Sequence, residues 1–475
     1  MSQLLEISPS MFFQYAKSPH WIWYDIHGDQ SKKIELPELT LRLIEGGVLH
    51  EEDCVKEMQK VTIDKSLSNE EAEKLTLEYM KAGKELIYQG VISCIDGDVK
   101  FKGRPDFLKK CSGTSIFGDY YYIPIEIKNS MNFDDKPEYK KQLMLYALIL
   151  EKIQGYRPPT GGFINKNKED VVCELTDKIL QSTTETIGNI LSILRGEEPH
   201  LKITKDALGT PWVDVLLTYA EQKSDISLLY DIRSSVILGL KSENIVTLSD
   251  MATCDVALLP KIKGASIETL RRLQKQAKSL VDDEIILISK PDIPEAKTKI
   301  YFDIEGNPLL GVEYLFGFLI VRENSEPIFK YFISEKPDDE KKMWEEFLSW
   351  LKSEKFDNYK VYHFHHYEKT QLNKLSKRYG GGEVTDHFIA NLVDLSKKIT
   401  DSYIFPVYFY SIKDIAKHLN FKWQHEKAGG AQSIFWYEEW LETGDRKILQ
   451  DIINYNEDDV RATEFLHDWL NKQSK

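Results

Sequence analysis

The N-terminal part of the chain alternates between strand-like and helical hydrophobic patterns. Alternating apolar and polar positions predict strands at 99–101 and 120–127, and residues 138–153 repeat their apolar positions at helical spacing. A further strand at 163–165 and a polar helix at 176–194 follow. This order of helix, antiparallel strands and helix predicts an α/β domain over residues 1–205.

The pattern becomes helical in the middle of the chain and alternates again afterwards. We predict short helices over 211–222, 228–237, 248–254 and 266–280, with breaks at Gly239 and Gly264. Pro291 and Pro294 mark a linker, because proline resists both a helix interior and a central strand. Beyond it, the predicted elements are strands at 299–303, 314–321 and 360–363 and a helix at 341–352. The pattern thus predicts a helical domain over 206–290 and a second α/β domain over 298–475.

The composition is that of an ordinary globular protein and does not restrict the substrate. The chain has 475 residues, which favours more than one domain, and 42% of them are hydrophobic and 29% charged. A formal net charge of -14 argues against coating nucleic acid by bulk electrostatics. Bound metals and local lysine clusters can still face phosphates, so net charge neither supports nor excludes a nucleic-acid substrate.

Cysteine usage and the N-terminal sequence indicate a reducing compartment. The five cysteines are widely spread without a CxxC pair, so neither a disulfide framework nor a zinc or iron–sulfur spacing is visible. The N-terminus has no basic region followed by an apolar core, and no run approaches the roughly 20 apolar residues of a membrane span. We expect a cytoplasmic protein with no membrane partner.

A first group of candidate catalytic residues lies between residues 103 and 128. Asp106 follows a turn, and further along Glu126 and Lys128 alternate on a half-buried strand, so their side chains point to the same face. Asp106 and Glu126 can share a divalent metal. Lys128 can then orient or deprotonate the attacking water, or stabilise charge that develops on a phosphate.

Two helical pairs flank this group. Gln142 and Tyr146 lie four residues apart and share one helix face, and Gly46 and His50 have the same spacing upstream. Together these pieces resemble the RecB-like branch of the PD-(D/E)XK nucleases, over roughly residues 8–200.

That resemblance implies a restriction-endonuclease-like α/β core with nuclease activity. The residues that it places in the site are His50, Asp106 and Glu126 as metal ligands, Lys128 as the catalytic lysine, and Gln142 with Tyr146 as a substrate-facing motif. Many RecB-like members also hold an iron–sulfur cluster through cysteines. Here the corresponding stretch 17–20 has no cysteine, and no group of closely spaced cysteines follows Tyr146. We therefore expect no iron–sulfur cluster.

A second group joins the two ends of the C-terminal domain. Asp303 and Glu305 end an apolar strand with one residue between them, so both carboxylates project to the same side and favour a bound cation. Tyr455 and Asp459 lie one turn apart on a predicted helix. Asp459 would complete a two-metal site, and the adjacent Asp458 is the less favoured assignment for the same role. The phenol of Tyr455 could hold the attacking water or the scissile phosphate.

These residues resemble the DEDD exonucleases of the RNase H-like fold, in the tyrosine-bearing (DEDDy) subclass, over roughly residues 298–472. The resemblance implies a 3'-5' exonuclease domain with one more acid between the two ends. We favour Glu368, which follows a strand and opens a helix, and Asp394 is the competing assignment. His363, His365 and His366 leave a zinc cluster as an alternative, although histidines beside a strand are more often packing or substrate contacts.

The helical middle contains the densest basic stretch of the chain. Residues 259–266 resemble a helix-hairpin-helix element, whose backbone amides can bind phosphate, but the usual glycine pair is reduced to Gly264. The basic residues are Lys261, Lys263, Arg271, Arg272, Lys275 and Lys278. Both a non-specific phosphate track and a solvated helical spacer fit this pattern.

The order of RecB-like nuclease, helical middle and RNase H-like exonuclease resembles a family of RecB-like nucleases with the same domain order. It implies a DNA nuclease of repair, recombination or defence that uses Mg²⁺ or Mn²⁺ at two sites. Single-stranded DNA or DNA ends are the expected partners, and a helicase partner is compatible. Two alternatives stay open: an RNA exonuclease, because neither site visibly distinguishes a 2'-hydroxyl, and a nucleic-acid-binding scaffold with one or both sites inactive.

Overall fold

The computed structural model describes residues 4–354, 356, 358–424 and 431–474. The chain divides into two compact units, Met1–Gln222 and Lys223–Lys475. Among the described residues, no helix combines the length and the apolar character needed to cross a membrane.

The N-terminal unit combines helices with two sheets. Its helices are α1 (Pro9–Lys17), α2 (Pro19–His27), α3 (Glu38–Val55), α4 (Asn69–Lys81), α5 (Pro137–Gln154), α6 (Asp177–Leu194) and α7 (Val213–Gln222). Its strands are β1 (Leu5–Ile7), β2 (Val61–Thr62), β3 (Leu86–Tyr88), β4 (Ile92–Asp96), β5 (Val99–Gly103), β6 (Phe107–Ser115), β7 (Gly118–Ile127), β8 (Thr160–Ile164) and β9 (Asp170–Glu174). The larger sheet has the order β2-β3-β6-β7-β8-β9, and β1, β5 and β4 form the smaller one.

Helix α5 packs on the larger sheet because β7 presents one buried face to it. Tyr122, Pro124 and Glu126 alternate as buried positions on β7, as the period of a strand requires. The ring of Tyr146 on α5 lies over β5 at Gly103, where a Cβ atom would overlap it. The helix ends at Gly155, whose φ of +68° suits glycine. The strand and helix predicted at 120–127 and 138–153 are thus confirmed, within a few residues at their ends.

The C-terminal unit begins with short helices and continues as an α/β sheet. Its helices are α8 (Ser234–Ser242), α9 (Leu248–Thr253), α10 (Ile267–Asp282), α11 (Glu340–Ser353), α12 (Tyr367–Tyr379), α13 (Gly382–Ala390), α14 (Leu395–Ser402), α15 (Ile412–His418), α16 (Gln432–Thr443) and α17 (Arg446–Ser474). Its strands are β10 (Ile286–Leu287), β11 (Thr298–Asn307), β12 (Val312–Arg322), β13 (Ile328–Ile333), β14 (Tyr359–His363), β15 (Leu392–Asp394) and β16 (Tyr403–Ile404).

Strand β11 occupies the centre of a sheet with the order β13-β12-β11-β14-β15. It pairs antiparallel with β12 and parallel with β14. Its even-numbered residues, such as Phe302, join an aromatic core with Phe347 of α11. Its odd-numbered residues face α17, as the hydrogen bond between the Tyr301 hydroxyl and His467 Nδ1 at 2.9 Å illustrates. The alternation places Asp303 and Glu305 on the α17 side of the sheet.

Three of the predicted features are wrong in detail. Gly239 does not break a helix but lies inside α8, where the absence of a Cβ leaves room for Ile262. The helix predicted over 228–237 begins only at Ser234, after a 3₁₀ turn at Ile226–Leu228. Strand β11 does not end at its two acids, because pairing with β12 continues through a bulge to Asn307.

Candidate functional site

Strand β11 and helix α17 bring Asp303, Glu305 and Asp459 together. One carboxylate oxygen from each residue lies within 4.8 Å of the corresponding oxygens of the other two. We call these three carboxylates the second site. Because oxygen ligands at this separation suit a hard divalent cation, the residues present fit such an ion.

Burial and mutual repulsion make the second site costly to ionise. Burial raises the pKa of Glu305 to about 8, and Asp459 adds to the increase. Burial and then Glu305 raise the pKa of Asp303 well above its ordinary value. Like charges at such short separation need a cation before all of them can be ionised.

The raised pKa values predict how the stability of the metal-free protein depends on pH. A carboxyl with a higher pKa in the folded state holds a proton that the unfolded chain has lost, so stability falls as pH rises from the unfolded to the folded pKa. With EDTA, we expect the melting temperature to fall through this window, which for Glu305 extends to about pH 8. Mg²⁺ should remove much of that fall by binding the ionised form. Differential scanning fluorimetry measures both, and equal pH dependence with and without Mg²⁺ would contradict the cation cage.

Tyr455 lies beside the second site and is held by Lys413, which was not among the predicted site residues. Lys413 Nζ of α15 donates to the Tyr455 hydroxyl at 2.9 Å and lies 4.8 Å from the centre of its ring. Burial, followed by Asp459, raises the pKa of Tyr455, so the phenol keeps its proton at neutral pH. Trp423 Nε1 donates to Asp459 Oδ1 at 2.8 Å and fixes that carboxylate.

Asn456 is a further residue of the second site. Its Nδ2 donates to Asp303 Oδ2 at 2.7 Å, and its side chain is buried against Gly317 of β12, which pairs with Asp303. A Cβ atom at Gly317 would overlap the amide of Asn456. Since Asn456 and Asp459 are three residues apart on one helix face, the spacing was the available sequence signal.

We expect Gly317→Ala to displace Asn456 and to slow hydrolysis at the second site by about a hundredfold, because small misplacements of catalytic groups are costly. Asn456→Ala removes the overlapping amide, so adding Gly317→Ala to it should cause little further loss. Single-turnover rates of the two single variants and the double variant test this. Additive losses would show that Gly317 acts independently of Asn456.

The structure separates the two acids that compete for the middle position. Glu368 is buried near the start of α12, accepts a hydrogen bond from His363 (Nδ1 to Oε2, 3.1 Å), and is one of the carboxylates that raise the pKa of Asp303. Asp394 instead caps α14, accepting from the backbone N–H groups of Ser396 at 2.9 Å and His365 at 3.1 Å. This geometry favours Glu368, which stays a prediction.

Two of the three histidines at the end of β14 and just after it have hydrogen-bond partners of their own. His363 bonds to Glu368, and His365 Nδ1 lies 3.0 Å from the Ser396 hydroxyl. His366 precedes α12 as its N-cap residue. Within the described ranges, the one cluster of three possible metal ligands is that of Asp303, Glu305 and Asp459, so the zinc alternative finds no support there.

A comparison with protein families adds to this geometry. Residues 300–471 match the model of the RNase H superfamily. The C-terminal domain is RNase H-like. Because the matched range includes Asp303, Glu305, Glu368, Tyr455 and Asp459, the carboxylate cluster lies in a domain type that indicates a nuclease function. RNase H-like nucleases generally use divalent metals, which agrees with the acidic cluster. Curated proteins yielded no match to the chain.

Outside the RNase H-like domain, the N-terminal unit gathers Asp106, Glu126 and Lys128, which we call the first site. Asp106 Oδ2 accepts from the backbone N–H of Ile127 at 2.7 Å. Burial, followed by Glu126, raises the pKa of Asp106 well above its ordinary value. Glu126 is 3% exposed, and its Oε1 is buried with no hydrogen-bond partner in the described part of the chain. An unpaired buried carboxylate oxygen beside a second acid fits a cation.

Lys128 is held by the carboxylate beside it. Its Nζ donates to Glu126 Oε2 at 2.7 Å and lies 5.2 Å from the centre of the Tyr139 ring. Although burial alone would lower the pKa of Lys128, Glu126 and Asp106 hold it above the ordinary value. The lysine is therefore an ammonium ion in this arrangement, which favours orientation or charge stabilisation over removal of a proton from water.

Helix α5 contributes two further side chains to the first site. Gln142 Nε2 donates to Glu126 Oε2 at 3.0 Å and to the Tyr146 hydroxyl at 3.0 Å. The pair predicted to share a helix face thus meets Glu126 in the folded chain. Their role toward a substrate stays a prediction.

His50 is not brought into a ligand cluster with Asp106 and Glu126. Its Nε2 lies 3.1 Å from the Asn165 carbonyl oxygen and 3.5 Å from Cys54 Sγ. Among the described residues, three grouped ligands occur only at the second site. The neighbouring acid, Glu51, faces Asp106 instead, because the Gln89 amide bridges their carboxylates.

The basic residues of the helical middle divide into exposed and engaged side chains. Lys261, Lys263 and Arg271 are exposed, whereas Arg272 Nη2 donates to the Thr400 carbonyl at 2.7 Å. Gly264 has φ of +88°, as a tight turn between helical segments requires. The exposed residues Arg271, Lys275 and Lys278 recur at helical spacing and lie on one face of α10.

Proposed function

We propose that the protein is a metal-dependent nuclease that hydrolyses phosphodiester bonds of DNA at two sites, in repair, recombination or defence. The observation that carries the proposal is the meeting of Asp303, Glu305 and Asp459 within a domain that matches the RNase H superfamily. Glu368 and Tyr455 extend this set to the DEDDy pattern of exonucleases.

At the second site, Asp303, Glu305 and Asp459 would hold divalent Mg²⁺ or Mn²⁺, with Glu368 as the fourth acid of the set. A bound cation supplies stabilisation of the negative charge that develops on the phosphate. Tyr455 remains protonated, receives a hydrogen bond from Lys413 and donates one to the Asp459 carboxylate, so its hydroxyl is held beside the acids that would bind the cation. The phenol therefore orients the attacking group and does not remove its proton.

At the first site, Asp106 and Glu126 would hold the cation and Lys128 would face the phosphate. The ammonium of Lys128 is fixed by Glu126, and Gln142 holds the same carboxylate from α5. Support for this site rests on the unpaired Glu126 Oε1 and on the resemblance to RecB-like PD-(D/E)XK nucleases.

The proposal is tested with end-labelled single-stranded DNA, duplex DNA and RNA in the presence of Mn²⁺ or EDTA. A double variant, Lys128→Met with Asp303→Asn, is the matched inactive protein and reveals any contaminating nuclease. We expect EDTA-sensitive degradation of DNA by the parent and none by the double variant. Degradation of RNA alone would identify an RNA exonuclease instead. Retained binding without degradation would identify a scaffold.

We also propose that the helical middle guides nucleic acid along its backbone, through Lys261, Lys263, the turn at Gly264, and the exposed face of α10. Replacing Arg271, Lys275 and Lys278 with Ala should weaken binding of every sequence alike. It should also make the slope of the logarithm of the binding constant against the logarithm of salt concentration less steep by about 2 for single strands, since each phosphate contact contributes roughly 0.7. Fluorescence anisotropy over a salt series measures this. Replacing the exposed Lys341, Lys342 and Lys352 of α11 is the matched control, and an equal change there would refute a specific track.

A further inference from the structure

We propose that Glu51, and not the adjacent His50, is the third side chain of the first site and holds the cation through its bound water molecules. The inference rests on the proposed function, in which Asp106 and Glu126 hold a divalent cation. It concerns which residue of α3 faces that cation. Consecutive residues on a helix point about 100° apart, so His50 and Glu51 face different neighbours, and Asp106 lies just before β6.

A network of hydrogen bonds holds the Glu51 carboxylate toward Asp106. Its Oε1 accepts from the Tyr88 hydroxyl at 2.7 Å and from Gln89 Nε2 at 2.6 Å. The same Gln89 nitrogen donates to Asp106 Oδ1 at 3.2 Å. One amide therefore joins the two carboxylates, and Glu51 is among the groups that raise the pKa of Asp106.

The backbone at Gln89 is shaped for this bridge. Gln89 has φ of +57°, which residues other than glycine rarely adopt, and its side chain is 6% exposed. Its backbone N–H also donates to the Asp106 carbonyl at 2.9 Å. Residues held in such a conformation often occur at functional sites, where the surrounding structure maintains them.

His50 is directed to other partners. Its Nε2 lies near the Asn165 carbonyl at the end of β8, and both of its ring nitrogens lie within 4 Å of Cys54 Sγ, one helical turn away. A ring nitrogen that donates to a carbonyl has no lone pair for a metal. Only Nδ1 would then keep a lone pair, and it lies 3.9 Å from Cys54 Sγ on the same helix.

The chemistry of the donor set also favours a carboxylate. Glu51, Asp106 and Glu126 do not form a close ligand group like that of the second site in the described part of the chain, but they would supply only oxygen donors. Such donors suit Mg²⁺ or Mn²⁺, whereas an imidazole ligand would favour softer transition metals. Because the Gln89 amide lies between Glu51 and Asp106, we expect the Glu51 carboxylate to accept hydrogen bonds from water molecules that are bound to the ion. Mg²⁺ keeps several waters and is commonly bound by one or two carboxylates directly.

The test measures Mn²⁺ binding by electron paramagnetic resonance in the full chain. All proteins carry Asp303→Asn and Asp459→Asn, so that the second site does not contribute. We expect Glu51→Gln to weaken Mn²⁺ binding by at least about tenfold, the loss typical of an outer partner of a metal site, and His50→Gln by much less. Mg²⁺ should compete with Mn²⁺ in the parent.

Two further variants keep the outcomes distinct. Asp106→Asn should abolish binding, and unchanged binding there would refute the first metal site itself. If Asp106→Asn abolishes binding but Glu51→Gln does not weaken it, or if His50→Gln weakens it equally, the assignment of Glu51 is overturned. Tyr88→Phe leaves the carboxylate intact but removes its hydrogen bond, and it should weaken Mn²⁺ binding severalfold while the melting temperature confirms folding. No weakening in Tyr88→Phe would likewise count against the assignment.

Discussion

Asp303→Asn is expected to abolish stepwise nucleotide release by the RNase H-like domain. The substitution keeps the size of the side chain but removes a charge from the three-carboxylate cage. A cation contributes several kcal/mol of transition-state stabilisation, and each loss of about 1.4 kcal/mol slows a reaction tenfold. We therefore expect a decrease of at least about a thousandfold, measured by single-turnover release of labelled nucleotides in the Lys128→Met background.

Asp458→Asn is the matched control for this substitution. Asp458 is adjacent to Asp459 but accepts a hydrogen bond from the Gln424 backbone at 2.7 Å, which the Asn oxygen can still accept. We expect its rate to stay within a few-fold of the parent. Asp303→Asn should also raise the melting temperature in EDTA near pH 8, because it removes one of several buried like charges. An inactive variant with a lowered melting temperature would indicate misfolding in place of a lost ligand.

Lys128→Met is expected to abolish hydrolysis at the first site while leaving the second intact. The methionine keeps much of the apolar stem but loses the ammonium that Glu126 holds at 2.7 Å. Removing one positioned hydrogen-bond donor typically slows catalysis by about 10²- to 10³-fold. We expect a decrease in rate of that size in the Asp303→Asn background. The measurement is the rate of cleavage of labelled DNA with Mn²⁺.

Lys136→Met is a close control for Lys128→Met. Lys136 lies 5.3 Å from the centre of the same Tyr139 ring that Lys128 contacts. A similar loss in both variants would attribute the effect to packing around Tyr139. Unchanged hydrolysis in Lys128→Met would remove this lysine from the chemistry.

Local patterns predicted much of the fold because they depend on neighbours in sequence. The alternation at 120–127 and the helical repeat at 138–153 correspond to β7 and α5. The helix break predicted at Gly239 is wrong, since the fit of this glycine against Ile262 depends on tertiary packing that no local pattern reveals. Strand β13 was not predicted at all.

In the candidate sites, too, residues that are close in sequence could be predicted, whereas contacts between residues far apart in sequence could not. Asp303 and Glu305 were evident from their alternation on one strand, but Lys413 meets Tyr455 only through the fold. Glu51 belongs to a run of three acids after His50, and the sequence does not say which of these faces Asp106. The family match covers residues 300–471, so the assignment of the first site depends on its own geometry and on experiment.

The most direct measurement is an anomalous difference map from a crystal of the parent protein soaked in Mn²⁺. We expect a peak within about 2.0–2.6 Å of carboxylate oxygens of Asp303, Glu305 and Asp459, the range of hard-cation ligand distances. A map with no peak between these three carboxylates, at a Mn²⁺ concentration that supports hydrolysis, would contradict it.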